Sequence, residues 1–286
     1  MQNFIKTLSK EFKEIYPNAD VTIKKFTKCN DVKKVGLMIH EKNNNTSPVI
    51  YLEPFFQEYK SGKKSISDVN FEIRKIYENN KSYQCTVDFF DFKTLKSHIK
   101  MKILNTEKCE NFTSDLPKIN FFDLSVIFYV ELNINEGLGN VNITNSLLSR
   151  WEKTIDDLVY FSLENMRQDY IFDSLLNQIM NLIDDEIDFN EPCMMYILTN
   201  KEKQFGASCM VVDSILRDIG EKLRCDYYIV PSSIHELIII PKKNASDVEF
   251  IKSTIQEVNN TQVAEDEILS YNLYEYSREL GKINLV

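Results

Sequence analysis

An α+β fold, with mixed and largely antiparallel sheets packed against amphipathic helices, is what this sequence predicts, and three observations predict it. Segments of strand composition run together more often than they alternate with helices. Stripes of apolar residues three and four apart stand between those runs and mark helices. Hydrophobic residues make up 43% of the 286, including 18 Phe and 14 Tyr, while only 7 Gly and 7 Pro occur, so core material is ample and linkers are scarce. A chain of this length suits one large or two closely packed domains.

Phe4, Ile5, Leu8, Phe12, Ile15 and Tyr16 recur at helical spacing and Pro17 blocks continuation, so the chain opens with an amphipathic helix. Strands to receive its stripe are Val21–Lys28, Val35–Ile39 and Val49–Leu52, an antiparallel meander with polar turns at Asn30-Asp31 and Asn43–Asn45. Ile66, Val69, Ile73, Ile76 and Tyr77 mark a second helix starting at Ser65 or Ser67. Leu95, Ile99 and Ile103 read as a third helix, roofing the same sheet. The chain turns polar between 105 and 118 and reaches Pro117, which places a boundary near 112. The expectation is a basic α+β domain over 1–112 and an acidic α+β domain over 113–286.

The second part opens with Phe121–Leu132, of strand composition, returning through Gly137–Asn140 to Val141–Ile143 as a hairpin. Asn145 or Thr154 can cap the helix that follows, whose inner face carries Val159, Leu163 and Met166. Leu175, Leu176, Ile179, Met180 and Ile183 form a further helical stripe, ending in the acidic run Asp184–Asp188 and Pro192. A strand at Met194–Leu198 comes next, then a helix through Ile215, Leu216, Ile219 and Leu223, then a hairpin of Tyr227–Val230 with Leu237–Ile240. Val248, Ile251, Ile255 and Val258 describe a helix capped by Ser246, and Val263–Leu269 with Tyr274–Tyr276 completes the chain.

The net charge of −9 is unevenly spread: residues 1–110 carry +6 and residues 111–286 carry −15. Such polarity can dock one half on the other, show an acidic face to a basic partner, or simply aid solubility. The chain does not start with a basic end and an apolar run, and no stretch approaches the roughly 20 apolar residues of a spanning helix, so a cytoplasmic protein without membrane attachment is expected. Cys29, Cys85, Cys109, Cys193, Cys209 and Cys225 form no CxxC and have no histidine close by. They read as reduced apolar fillers, not as a zinc site or a disulfide framework.

No Walker loop, GxGxxG, HExxH or GxSxG occurs, and no cofactor is implied. The densest polar cluster is Pro231-Ser232-Ser233-Ile234-His235-Glu236, lying between two apolar strands. In an extended segment Ser233 and His235 project to one side, so Ser232 or Ser233 as nucleophile, His235 as base and Glu236 as its ion-pair partner is the catalytic reading. Ordinary turn chemistry is the structural one. His40, His98 and His235 fall in three different elements, so no metal site is expected. Asn259, Asn260 and Thr261 follow a helix, either as its cap or in hydrogen bonds to a partner backbone. Lys24-Lys25, Lys33-Lys34 and Lys63-Lys64 interleave with Phe26 and Tyr59 in a pattern that can meet phosphates, diluted by acidic neighbours.

Thr46–Glu53, Tyr196–Asn200, Pro231–Glu236, Asn259–Val263 and Tyr274–Arg278 together resemble segments of an uncharacterised domain-of-unknown-function family of Clostridia and gut Firmicutes, in the same order and over nearly the whole chain. The resemblance implies an accessory or anti-defence role on phages, plasmids and other mobile elements, and it transfers no catalytic residue. Arg278, in its last segment, joins Asn259, Asn260 and Thr261 as a candidate for partner contact. Leu124–Met166, with Trp151 and Asp156-Asp157-Leu158, is similar to another uncharacterised family, of Bacillus type. The sequence thus predicts a non-enzymatic protein that acts by surface binding to a protein partner. Its alternatives are a Ser/His hydrolase at the Pro231–Glu236 turn and an acidic nucleic-acid mimic that inhibits a nucleic-acid-binding protein.

Overall fold

The computed structural model describes residues 1–42, 46–81, 87–134, 137–175, 195–245 and 247–286 and shows an α+β fold built on antiparallel sheets. Contacts group the chain into two units. The first comprises Met1–Lys28, Val32–Asp88 and Asn133–Gly139, and the second comprises Cys29–Asp31, Phe89–Leu132 and Asn140–Val286. Among the described residues no helix is long and apolar enough to cross a membrane.

In the first unit, helix α1 (Gln2–Ile15) buries Phe4, Leu8 and Phe12, four residues apart, against the meander β1 (Ala19–Thr27), β2 (Lys33–Glu41) and β3 (Val49–Tyr51). Helix α2 (Glu53–Lys60), which the sequence reading did not anticipate, follows directly, with Pro54 in its first turn where a missing N–H costs nothing. Helix α3 (Ile66–Asn80) starts at a capping box in which Ser65 and Asp68 satisfy each other's N–H groups. It closes the core with Val69, Ile73 and Tyr77.

The second unit begins with one turn of helix, α4 (Phe92–Leu95), and then strand β4 (Ile99–Asn105). This corrects the expected helix through Leu95, Ile99 and Ile103. All seven residues of β4 are buried, Lys100 and Lys102 included; the alternation Ile99-Lys100-Met101-Lys102-Ile103 is that of a strand, and the expected helix rested on a spacing of four, which fits both periods. Strands β5 (Lys118–Phe121), β6 (Leu124–Ile134) and β7 (Gly137–Asn142) follow; β4 and β5 flank β6, and β7 also pairs with β6. Thr144 caps α5 (Asn145–Arg150), and Thr154 forms a capping box with Asp157 at α6 (Ile155–Met166). The buried face of α6 is Leu158, Ser162 and Met166, while Val159 and Leu163, expected inside, are half-buried.

The six-stranded sheet is made of β8 (Ile171–Ser174), β9 (Tyr196–Thr199), β10 (Tyr227–Pro231), β11 (Leu237–Pro241), β12 (Tyr274–Ser277) and β13 (Lys282–Leu285), in the order β13-β12-β10-β11-β9-β8. Every pairing is antiparallel. Helix α7 (Asp213–Leu223) packs Ile215, Leu216, Ile219 and Leu223 into the core, and the Tyr227 hydroxyl donates to the Leu216 carbonyl at 2.9 Å. Helix α8 (Val248–Thr261) is capped by Asp247, whose carboxylate accepts from the Glu249 and Phe250 N–H groups; Ser246, the expected cap, lies outside the described residues. Of the helical stripe expected over Leu175, Leu176, Ile179, Met180 and Ile183, all but Leu175 lie outside the described residues, as do the acidic run after it, Cys85 and Cys193.

Two buried polar knots hold the second unit. Lys100 of β4 is bonded to Glu131 of β6 at 2.8 Å and to Asp169, beyond α6, at 2.6 Å, and all three side chains are at most 15% exposed. Asn30, 9% exposed and in the left-handed region at φ 54°, donates from Nδ2 to the Glu265 and Ile268 carbonyls, both at 2.7 Å. Its main-chain N–H points to the Cys109 Sγ at 3.0 Å, and that thiol donates back to Asn30 Oδ1 at 3.3 Å. Beside it, the Asp31 carboxylate accepts from the main-chain N–H groups of Asn111 and Phe112.

Asn30→Ala removes the bonds to the Glu265 and Ile268 carbonyls and the one accepted from Cys109, and places a Cβ-only side chain at positive φ, and is expected to lower stability by about 2–4 kcal/mol. Asn30→Gly, which relieves the backbone, should recover about 1 kcal/mol of that. Urea unfolding followed by the fluorescence of Trp151, the chain's single tryptophan, reads both. Burial pushes the Lys100 ammonium down, but its bonds to Asp169 and Glu131 outweigh that and hold it above the ordinary 10.5. Burial likewise raises the Tyr129, Tyr227 and Tyr274 hydroxyls above the ordinary 10.0. Groups raised on folding stabilise the protein below their unfolded values, so stability should be full below about pH 10 and fall as pH rises further. Lys100→Met should cost about 3–5 kcal/mol at neutral pH, because two carboxylates are left facing each other, and should make the alkaline loss shallower.

Candidate functional site

Alternation along β10 and β11 gives the six-stranded sheet two different faces. Tyr227, Ile229, Leu237 and Ile239 point to the α7 side and are fully buried. Their neighbours Tyr228, Val230, Ile238 and Ile240 point the other way and are half-buried. Register places Val230 opposite Ile238, and Ile238 opposite Ile197, in one cross-strand row of apolar side chains. Helix α8 lies over this face but covers only part of it. Ile255 is sealed at 4% exposure, while Ile251 and Val258 stay half-buried. The space between is an apolar groove of about 230 Å³, bounded by Ile238 and Ile240 on the sheet and by Ile251 and Val258 on the helix. Phe250, another of its lining residues, is 68% exposed.

Ser232 and Asn259, predicted as parts of separate sites, both line this groove. Asn259 is 3% exposed and sits inside the last turn of α8, where its Nδ2 donates to the Ser270 carbonyl at 2.9 Å. It pins the helix to the segment before β12. Asn260 accepts from the Tyr271 hydroxyl at 3.1 Å, and Thr261 donates to the Glu257 carbonyl at 2.8 Å; both are exposed. Arg278 is not brought to the groove. Its N–H donates to Asp226 and its aliphatic stem runs beside Gly220 of α7, on the opposite side of the sheet.

The turn between β10 and β11 is a locked corner. The Ser233 hydroxyl accepts the main-chain N–H of His235 at 3.0 Å, and the Ser232 hydroxyl lies 3.5 Å from a Glu236 carboxylate oxygen. The His235 imidazole accepts the Phe205 N–H at Nδ1, 3.2 Å away, which leaves its proton on Nε2, 3.8 Å from Glu267. Its ring stacks on Phe205, which adopts a left-handed φ of 56°, and Lys102 stands over the same Phe205 ring at 4.3 Å from its centre. Next to it Gly206 is in close approach: a Cβ there would lie 2.6 Å from the His235 carbonyl oxygen and 2.1 Å from Thr199 Oγ1. That crowding explains the glycine. Neither serine hydroxyl is bonded to the imidazole among the described residues, so the groups of the catalytic reading are neighbours without being aligned.

His40 bonds Ser47 at the edge of the first unit, and His98 lies in a short turn before β4. Among the described residues no three of His, Cys, Asp and Glu cluster as metal ligands. Burial pushes the Cys109 and Cys209 thiols up to about 12. In the first unit Lys33 donates to Thr27 and Lys64 to Glu58 and Glu72. Lys24 lies 5.2 Å from the centre of the Phe26 ring.

Sequence reasoning missed the groove, although one signal for it was present. Phe250 falls outside the 248, 251, 255, 258 stripe, so a large aromatic was bound to face outward. The half-covered sheet face depends on how α8 seats, which no local pattern encodes.

These features define an α+β protein with a groove between a helix and an antiparallel sheet, and no aligned catalytic set among the described residues. Residues 1–278 match a family of unknown function, DUF5688, and the chain belongs to that family. Comparison with curated proteins and with solved structures gives no match.

Because the Ser233 hydroxyl and the imidazole are each held by other partners, a fluorophosphonate probe is expected to label wild-type protein and the Ser232→Ala and Ser233→Ala variants to the same low extent. Labelling that disappears in one serine variant alone would restore the hydrolase reading.

Proposed function

We propose that this chain is a non-enzymatic binding protein whose second unit holds a protein partner in the groove between α8 and β10–β11. The observation that carries the reading is Phe250, a large aromatic left 68% exposed beside an apolar groove, since exposed apolar surface gathered in a concave site is the usual mark of recognition. Charge supports a basic partner. The second unit holds 19 Lys and Arg against 32 Asp and Glu, a net −13, and the first unit holds 15 against 11, a net +4. Glu249 and Glu257 lie on α8, and Glu265, Asp266 and Glu267 follow it. The partner is therefore read as a segment with apolar side chains for the groove and Lys or Arg beside them. The accessory, anti-defence setting on mobile elements that the family resemblance implies belongs to this proposal, as does action in the cytoplasm.

The excess of acid also favours a second reading, an acidic mimic that occupies the nucleic-acid site of a DNA- or RNA-binding protein. Capture of partners by wild-type protein and by Phe250→Asp, over a range of salt, separates the two. Groove binding predicts one partner retained by wild type, weakened at least about tenfold by Phe250→Asp, and modestly by salt. Mimicry predicts steep loss with salt and indifference to Phe250→Asp. A set of captured proteins unchanged by both removes the groove from consideration.

A further inference from the structure

The second unit contains another cavity, on the far side of the four-stranded sheet from the Lys100 knot. Ile103, Val126 and Ile119 stand opposite one another across β4, β6 and β5, and this face is apolar. Helix α6 lines it with the half-buried Val159 and Leu163, the turn before α7 with Met210, α7 with Leu216, and the end of the other sheet with Tyr276 and Ile283. They enclose about 380 Å³, within the ~300–1,000 Å³ of pockets that take small molecules. The floor is sealed: Met101, Val126, Met210, Leu216 and Tyr276 are each at most 4% exposed. Two of those five are methionines, whose flexible thioethers adapt to ligands of different shape. At the rim Phe122 is 46% exposed and held at a left-handed φ of 54°.

The mouth carries two charges, Asp213 and Lys282, both exposed and not paired with each other among the described residues. They are not equivalent. Asp213 is the first residue of α7, where the helix dipole and unpaired N–H groups already favour a carboxylate. Lys282, at the start of β13, has no such compensation and is left as the net charge at the opening. We propose that this pocket binds a small anionic amphiphile, an acyl or aromatic carboxylate whose apolar part fills the space over Met101 and Met210 and whose head pairs with Lys282.

The test uses the full chain with three probes of one tail length, decanoate, decanol and decylamine, kept below their aggregation concentrations. Binding is followed by titration calorimetry and by the methyl signals of methionine in isotope-labelled protein. Decanoate is expected to saturate a single site and to shift the Met101 and Met210 methyls, with decanol at least about fivefold weaker and decylamine weaker still. Lys282→Glu, at an exposed position on the rim, should weaken decanoate about tenfold and raise the affinity for decylamine. Leu163→Trp should fill the pocket and abolish binding of all three, with an unchanged far-ultraviolet circular dichroism spectrum showing that the fold persists. Equal binding of decanoate and decylamine, decanoate binding that ignores Lys282→Glu, or no shift of either methionine methyl would each overturn the assignment.

Discussion

A buried cation must keep its counter-charges or lose its place, and Lys100 is the clearest case in this protein. Its ammonium sits between Glu131 on the neighbouring strand and Asp169 in the segment that follows α6. Asp169 is committed further: its other carboxylate oxygen accepts the Lys201 N–H at 3.2 Å, just beyond β9. One charged group thus ties β4, β6, the exit of α6 and the end of a strand in the six-stranded sheet. Such a triad adds little net stability over an apolar replacement of equal volume, but it tolerates only one arrangement of the elements that carry it. The cavity behind β4 and the corner at His235 both depend on that arrangement, because both are lined by elements the triad holds in register.

The groove has a different origin. An antiparallel sheet can bury one face and leave the other partly open, and here α7 and α8 divide the two faces unequally. Four apolar residues of α7 are at most 8% exposed. Helix α8 seals only Ile255 and leaves Phe250 outside. The α7 face is therefore a core, and the α8 face is an unfinished one, with the apolar surface that completion by another chain would bury.

Much of this architecture was legible in local patterns. Elements whose apolar period is unambiguous, such as α1, α3 and α7, and the hairpin of β10 and β11, fall where periodicity and capping residues place them. Strand β4 did not, because the spacing of Leu95, Ile99 and Ile103 fits a helix as well as a strand, and nothing local shows that Lys100 and Lys102 are to be buried against Glu131, Asp169 and the rings of Tyr129 and Phe205. Short edge strands such as β8 and β13 carry too few apolar residues to signal themselves. The predicted site fared in the same way. Ser232 and Asn259 both line the groove although they are 27 positions apart, while Ser233 and His235, two apart, spend their polar atoms on other partners. Asn30 reads as a turn residue, yet its amide reaches carbonyls 235 and 238 positions later. Local chemistry specifies that a polar residue needs a partner, and only the tertiary fold says which.

The clasp between Asn30 and Cys109 also gives the molecule a chemical clock. While the turn is seated, the Cys109 thiol is 0% exposed, bonded on both sides to Asn30, and pushed by burial up to about 12, so almost none of it is thiolate at neutral pH. Release of that turn frees the sulfur from both bonds and admits water, returning the thiol to ordinary reactivity. Alkylation at this position would then proceed only as fast as the turn lets go, and the sulfur would record each opening that leaves the rest of the fold intact.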